Sequence, residues 1–305
     1  MKNKNESATA LTPLDEAYLH ATGPVTVGMT NDYMFRIVFQ ENKYALKGLI
    51  SSVLHMDPDN IKSLDIKNTV KPGVRISDKE YRMDILVTMN DNKTLCLEMQ
   101  LRNLGNWQYR SLSYLCREFD SLDHGDDYEN VQPVYQIGFL GFTLFENHPE
   151  FCSLYQMRNK KDNHLYTDRF NLIVIELNQE ELASDEDIKY GIDKWVKLFK
   201  SKTWEELNMV AQGNEYMASA VKSMYLSNED YNVIKVARER EEFLRSQAYK
   251  ERKIASLTAE VASLSDENES LSNENASLSN ENASLSNEIT RLRKLLKDKG
   301  IDADN

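Results

Sequence analysis

Apolar residues along this chain recur in three rhythms, and each predicts a different kind of element. From Thr30 they return every three or four positions, so Phe35, Val38 and Phe39 form one stripe of a helix capped by Thr30, with Asp32 in its first turn. A second helix is predicted over about Lys43 to Leu54, where Leu46, Leu49, Ile50, Val53 and Leu54 share a side. The rhythm then shortens to two. A strand near Leu64 to Asn68 precedes a loop at Pro72-Gly73. Next come Tyr81 to Met89 and Lys93 to Gln100, both rich in aliphatic residues and joined by polar Asn90, Asp91 and Asn92 as a hairpin. Helical spacing returns from Asn106 to Leu122, with Leu112, Leu115, Phe119 and Leu122 on an apolar side. Val134 to Phe142 is an apolar run that suits a strand buried on both faces, and Phe170 to Leu177 predicts another after a polar excursion from Gln156 to Asp168. Strand, helix, strand in this order predicts a right-handed crossover and a parallel pair beside the hairpin, so the sheet is mixed and the class α/β.

From Ser184 onward only helical patterns remain. They cover Ile188 to Lys200 with Trp195, Leu198 and Phe199, then Thr203 to Ala211 with a Thr203 and Glu206 capping box, then Glu215 to Tyr225. This region either covers the sheet or extends from it. The third rhythm is a heptad. Leu257, Leu264, Leu271, Leu278, Leu285 and Leu292 fall every seventh residue, with Ile254, Val261, Asn268, Asn275, Asn282, Ile289 and Leu296 at the other seam position. Leucine at d with β-branched residues and Asn at a favours a parallel two-stranded coiled coil, hence a homodimer with a weak middle. The alternative is a Ser/Asn-rich tail with little helix, because SLSNENA repeats are poor helix formers. The expected organisation is a flexible lead-in over 1–28, a core over 29–180, a helical extension over 181–244 and a coiled coil over 245–300.

Composition narrows the function classes. A formal charge of -12 over 305 residues argues against a generally basic nucleic-acid surface, although a local one stays open. No run approaches the ~20 apolar residues that span a bilayer, and the first residues lack the apolar segment of a signal peptide, so a cytoplasmic location is expected. Cys96, Cys116 and Cys152 have no CxxC or CxxH spacing and predict reduced, largely buried thiols.

The hairpin carries the candidate chemistry. A three-residue loop sets Met89 opposite Lys93, and counting outward places Asp84 opposite Glu98. Alternation puts Glu98 and Gln100 on one face and Leu97 and Met99 on the other. Opposed residues have Cβ atoms about 4.5–5.5 Å apart, where like charges destabilise. A hard divalent cation such as Mg²⁺ is one reason for the pair, and a solvated pair on an exposed face is the plain alternative. On the next helix Arg110, Tyr114 and Arg117 stack at spacings of four and three. Such a stripe suits phosphate contact and base stacking, or is simply an amphipathic surface.

Four segments in order, TNDYMFRIVF, RMDILV, LCLEMQ and WQYRSLSYLCREF, resemble the PD-(D/E)XK nuclease family transposases, the group that includes the Rpn recombination-promoting nucleases. FNLIVIELNQ and DKWVKLF extend the resemblance over about Met29 to Arg240. It implies a restriction-endonuclease-like core, a mixed sheet flanked by helices, that cuts DNA with Mg²⁺, or with Mn²⁺ in its place. Carried over by position, Asp84 and Glu98 hold the metal and Asp32 is an optional third ligand. Gln100 joins Asp84 and Glu98 in the catalytic set, where the wider superfamily has Lys. Arg110 and Tyr114 lie near the site, and with Arg117 form the expected DNA-binding side. A Gln orients water or phosphate by hydrogen bonds only, whereas Lys brings a charge. The expected function is a dimeric Mg²⁺-dependent DNA endonuclease associated with mobile elements or recombination. The alternative is a catalytically silent dimeric DNA- or protein-binding module on the same fold, favoured by the acidic charge and the missing Lys.

Overall fold

The computed structural model describes residues 17–67, 70–71, 81–82, 84–90, 92–120, 122 and 125–299. The expected Pro72-Gly73 loop and the turn residue Asp91 lie outside them. The chain divides into two compact units, residues 1–241 and 242–305. Its strands are β1 (Leu64–Ile66), β2 (Val70–Lys71), β3 (Tyr81–Arg82), β4 (Ile85–Met89), β5 (Lys93–Gln100), β6 (Val134–Leu140), β7 (Cys152–Gln156) and β8 (Phe170–Glu176). Its helices are α1 (Asp32–Glu41), α2 (Lys43–Val53), α3 (Trp107–Phe119), α4 (Asp185–Tyr190), α5 (Ile192–Lys200), α6 (Trp204–Ala211), α7 (Glu215–Glu229) and α8 (Tyr231–Asp298).

Six strands form a mixed sheet in the order β1-β4-β5-β6-β8-β7, the architecture expected of a restriction-endonuclease-like core. β5, β6 and β8 run parallel, and β1, β4 and β7 complete the sheet antiparallel. The hairpin register is the one its three-residue loop dictates, with Met89 opposite Lys93 and Ile85 opposite Leu97. Asn90 adopts the left-handed φ of 52° that such a turn needs. Its side chain also ties the turn to the segment before β1, accepting from Lys62 N at 2.7 Å and donating to Asn60 O at 2.8 Å.

One face of the sheet holds the main core. Ile85, Val87, Leu95, Leu97, Met99, Ile137 and Phe139 meet Phe35 and Phe39 of α1 and Trp195 and Phe199 of α5. Phe139 packs on Phe35 at 5.5 Å and on Phe199 at 5.4 Å between ring centroids. The helical region after Ser184 therefore covers the sheet, because its apolar stripes close the same core. The opposite face is covered by α3. Gly138 leaves a notch for Trp107, whose ring atoms lie 2.1 and 2.5 Å from where a Cβ would stand.

Several expectations change. The strand expected over Tyr81 to Met89 is broken: Tyr81–Arg82 pairs with Val70–Lys71 in a separate ribbon, and β4 begins only at Ile85. Asn31, not Thr30, caps α1, accepting from Tyr33 N and Met34 N. α3 ends at Phe119 and buries Trp107, Ser111, Leu115 and Glu118, while Leu112 is 44% exposed. The Ile188 to Lys200 helix is split by Gly191 at a φ of 75°. β7 had no apolar alternation to announce it, since an edge strand that exposes Leu154 needs none. Cys116 is exposed rather than buried, although all three thiols are free. Within the lead-in range, Val25 N donates to Lys202 O at 2.9 Å and Val27 is buried.

Residues 242–305 form the second unit, helical through Asp298. Its six heptad leucines are 45–57% exposed in the single chain.

Candidate functional site

β5 is a central strand, so its side chains are buried on both faces. The two-residue period sends Leu97 and Met99 into the main core and Cys96, Glu98 and Gln100 under α3. Glu98 is only 2% exposed and Gln100 only 7%. A buried carboxylate needs a partner, and α3 provides one. Arg110 forks across the strand, with Nη2 on Glu98 Oε1 and Nη1 donating to Gln100 Oε1 at 3.1 Å. The guanidinium also lies over the ring of Tyr114, 5.3 Å from its centroid. Gln100 Nε2 donates to Arg102 O at 3.0 Å. Glu98 Oε2 is buried with no hydrogen-bond partner among the described residues.

Asp84 sits at a bend one residue before β4, on the edge of the strand pairing. Its carboxylate replaces a main-chain acceptor: Oδ2 takes the N–H of Met99 at 2.9 Å. Gln40 of α1 holds the same residue from the other side, donating to Asp84 O at 2.9 Å. Extending the register by one pair puts Asp84 beside Glu98, and the two carboxylates act on each other electrostatically. Asp32, at the start of α1, is near enough for its charge to raise both. Its own Oδ2, however, accepts from Arg240 Nε at 2.9 Å.

The structure thus brings Asp84, Glu98, Gln100, Arg110 and Tyr114 together and places Asp32 at the margin. Arg117, one turn beyond Tyr114 and partly exposed, is not one of the residues joined by the bonds from Arg110. Sequence reading missed Gln40, Arg36 and Arg240. The first two were marked only by spacing, since Asp32, Arg36 and Gln40 recur every four residues on α1.

Electrostatics set the chemistry. Burial pushes the Glu98 carboxyl up from the usual range, Arg110 pulls it down, and Asp84 adds to the rise. Enclosure likewise raises Asp84, opposed by the Met99 N–H, and Asp32 raises it further. Both carboxyls end well above ordinary values. A native carboxyl that holds its proton more tightly than the unfolded chain stabilises below the unfolded pKa of about 4, and that contribution is lost as pH rises through the raised value. Metal-free protein is therefore expected to unfold at a lower temperature near about pH 9 than near about pH 6, with the slope reduced when Asp84→Asn and Glu98→Gln are combined. Thermal unfolding across pH in chelator measures this; an identical slope in the double variant refutes it.

The donor set fits a hard cation. Glu98 Oε2 is buried and unpartnered, and Asp84 Oδ1 has no hydrogen bond among the described residues. Such ions take oxygen ligands and fill remaining positions with water or phosphate. Among the described residues no group of three His, Cys, Asp or Glu side chains is placed to hold a metal, which agrees with Asp32 being turned to Arg240. No helix among the described residues is long and apolar enough to cross a membrane. A family model described as PD-(D/E)XK nuclease family transposase matches residues 29–254. No curated protein and no solved structure matches the chain.

Proposed function

The chain belongs to the PD-(D/E)XK nuclease family transposases, and from that premise we propose that it hydrolyses DNA phosphodiester bonds with Mg²⁺ or Mn²⁺ held by Asp84 and Glu98. The observation that carries the reading is the buried, unpartnered Glu98 Oε2 beside Asp84, since an unsatisfied carboxylate oxygen in a core is costly unless something binds it. A divalent cation held there supplies neutralising charge for a phosphate and acidifies nearby water.

The protein's own groups do the positioning. Arg110 bridges Glu98 and Gln100 and keeps the buried carboxylate compensated before substrate arrives. Gln100 spends one amide N–H on Arg102 O and has a second left for a water or phosphate oxygen. Tyr114, stacked on Arg110, restricts the swing of the guanidinium. We assign Asp32 to tuning rather than ligation while it is paired with Arg240. Arg117 is assigned to the outer DNA-facing side of α3. The tail over 245–300 is read as a parallel homodimeric coiled coil, because its exposed leucine seam is continuous at heptad spacing. Two cores brought together in this way suit two-strand cleavage.

The test is direct. Purified full chain is expected to nick or cut plasmid DNA with Mg²⁺ or Mn²⁺ and to stop on chelation. One observation favours the second reading, a silent binding module: Arg110 already occupies an oxygen that a cation would use. DNA binding without cleavage in either metal, and without metal uptake by calorimetry, would establish that module and overturn the hydrolase.

A further inference from the structure

Asp32, Arg36 and Gln40 form a single stripe of α1, because residues four apart stand above one another on a helix. One end of the stripe is bonded to the candidate site, and the other is held by Arg240 at its margin. Gln40 Nε2 bonds the carbonyl of Asp84 at 2.9 Å, and the charge of Asp32 acts on Asp84 and Glu98. Arg36 lies between them, and its charge is felt at Asp84. Its guanidinium rests on the ring of Tyr33, 5.1 Å from the centroid. Among the described residues no carboxylate or hydrogen-bond acceptor pairs with it.

The other named arginines around these carboxylates are engaged. Arg110 is bonded to Glu98 and Gln100, and Arg240 to Asp32. A guanidinium stacked on an aromatic face keeps its N–H edge open, and that edge matches a phosphate bidentately. The plain alternative is a solvated arginine on an amphipathic helix. Its place one turn before Gln40, which is bonded to Asp84, and close enough for its charge to act on that carboxyl, favours the functional role. Net charge elsewhere is unhelpful to DNA, at -12 for the chain, so a local donor is needed.

We propose that Arg36 is a DNA-phosphate ligand at this site, supplying the positive charge that Gln100 lacks. Its consequence for cleavage rests on the nuclease reading; its role in binding does not. The test is binding of the full chain to a short DNA duplex, with Ca²⁺ as the only divalent ion, over a salt series. Arg36→Met is expected to lower the slope of log affinity against log salt by about 0.9, the share of one phosphate contact, and to weaken binding severalfold. Arg36→Lys is expected to keep the slope, and Lys194→Met, an exposed cation on α5, to behave as wild type. Thermal unfolding of each variant confirms that the fold is kept. A wild-type slope and affinity in Arg36→Met overturns the proposal, as does a wild-type chain that binds no DNA. DNA held through Arg36 but never cut with Mg²⁺ or Mn²⁺ overturns the nuclease reading and leaves this one standing. Cleavage unaffected in KM and salt slope by Arg36→Met overturns this one alone.

Discussion

Glu98→Gln and Asp84→Asn are each expected to reduce DNA cleavage by about a thousandfold or more while leaving the melting temperature of the metal-free protein near that of the wild type. Removing a single fixed charge-stabilising group from an active site costs about 10²–10³ in rate, and here the lost oxygen is one of only two proposed ligands. Stability is expected to survive because burial, the first cause in each, raises both carboxyls and so weakens the folded state's preference for the charged form that the amides lack. An Asn at position 84 can still accept from Met99 N, and a Gln at 98 can still accept from Arg110, so neither donor is stranded. Truncation to Ala would not separate these effects, since it would leave Arg110 buried without its acceptor. Cleavage rates, metal uptake by calorimetry and melting curves on the same preparations decide the matter. Wild-type cleavage in either variant removes that carboxylate from the chemistry.

The second large effect is expected at Gly138, which has no chemistry of its own. Gly138 is the register partner of Glu98 on β6, and Trp107 fills the space its missing side chain leaves. A Cβ there would stand 2.1 Å from Trp107 Cζ2, and the ring is 2% exposed, walled by Leu140 and Val174. The indole is rigid and cannot fold aside. Gly138→Val is therefore expected to destabilise by about 1–3 kcal/mol, the usual cost of overfilling a packed core. That is about 2–4 °C of melting temperature per kcal/mol for a domain of this size. Trp107 is also the first residue of α3, so lifting it moves the helix that carries Arg110. Cleavage should fall further than stability alone explains, and should do so at temperatures where the variant is fully folded. Unchanged melting and unchanged cleavage would show that α3 does not depend on this notch.

Much of the site was legible because it follows from local rules. A loop length fixes which residues face each other across a hairpin, so the sequence alone sets Asp84 beside Glu98. The alternation that puts Glu98 and Gln100 on one face is equally local. Even so, the observed strand is shorter than its pattern predicts: the break before Ile85 frees the Asp84 side chain to take Met99 N in place of a ladder bond. The residues before the break pair instead with Val70–Lys71, which no pattern around Asp84 announces. The buried face of α3 differs from the predicted one for a related reason. Its buried positions are chosen by the notch at Gly138 and by Glu98, not by where leucines fall, so Leu112 faces solvent while Ser111 and Glu118 are enclosed.

By itself the sequence determined what depends on neighbours a few residues apart: the hairpin register, the capping box at Thr203 and the heptad seam of leucines. Turn length, side-chain alternation and helical period are properties of short segments and need no partner. Only the tertiary structure decided that Arg110 closes on Glu98, that Arg240 takes Asp32, and that α1 lays Arg36 and Gln40 along the carboxylates. Those pairings join segments up to 208 residues apart. They exist because helices seat their faces against a shared core, and the sum of that burial, not any local preference, sets where each charged side chain emerges.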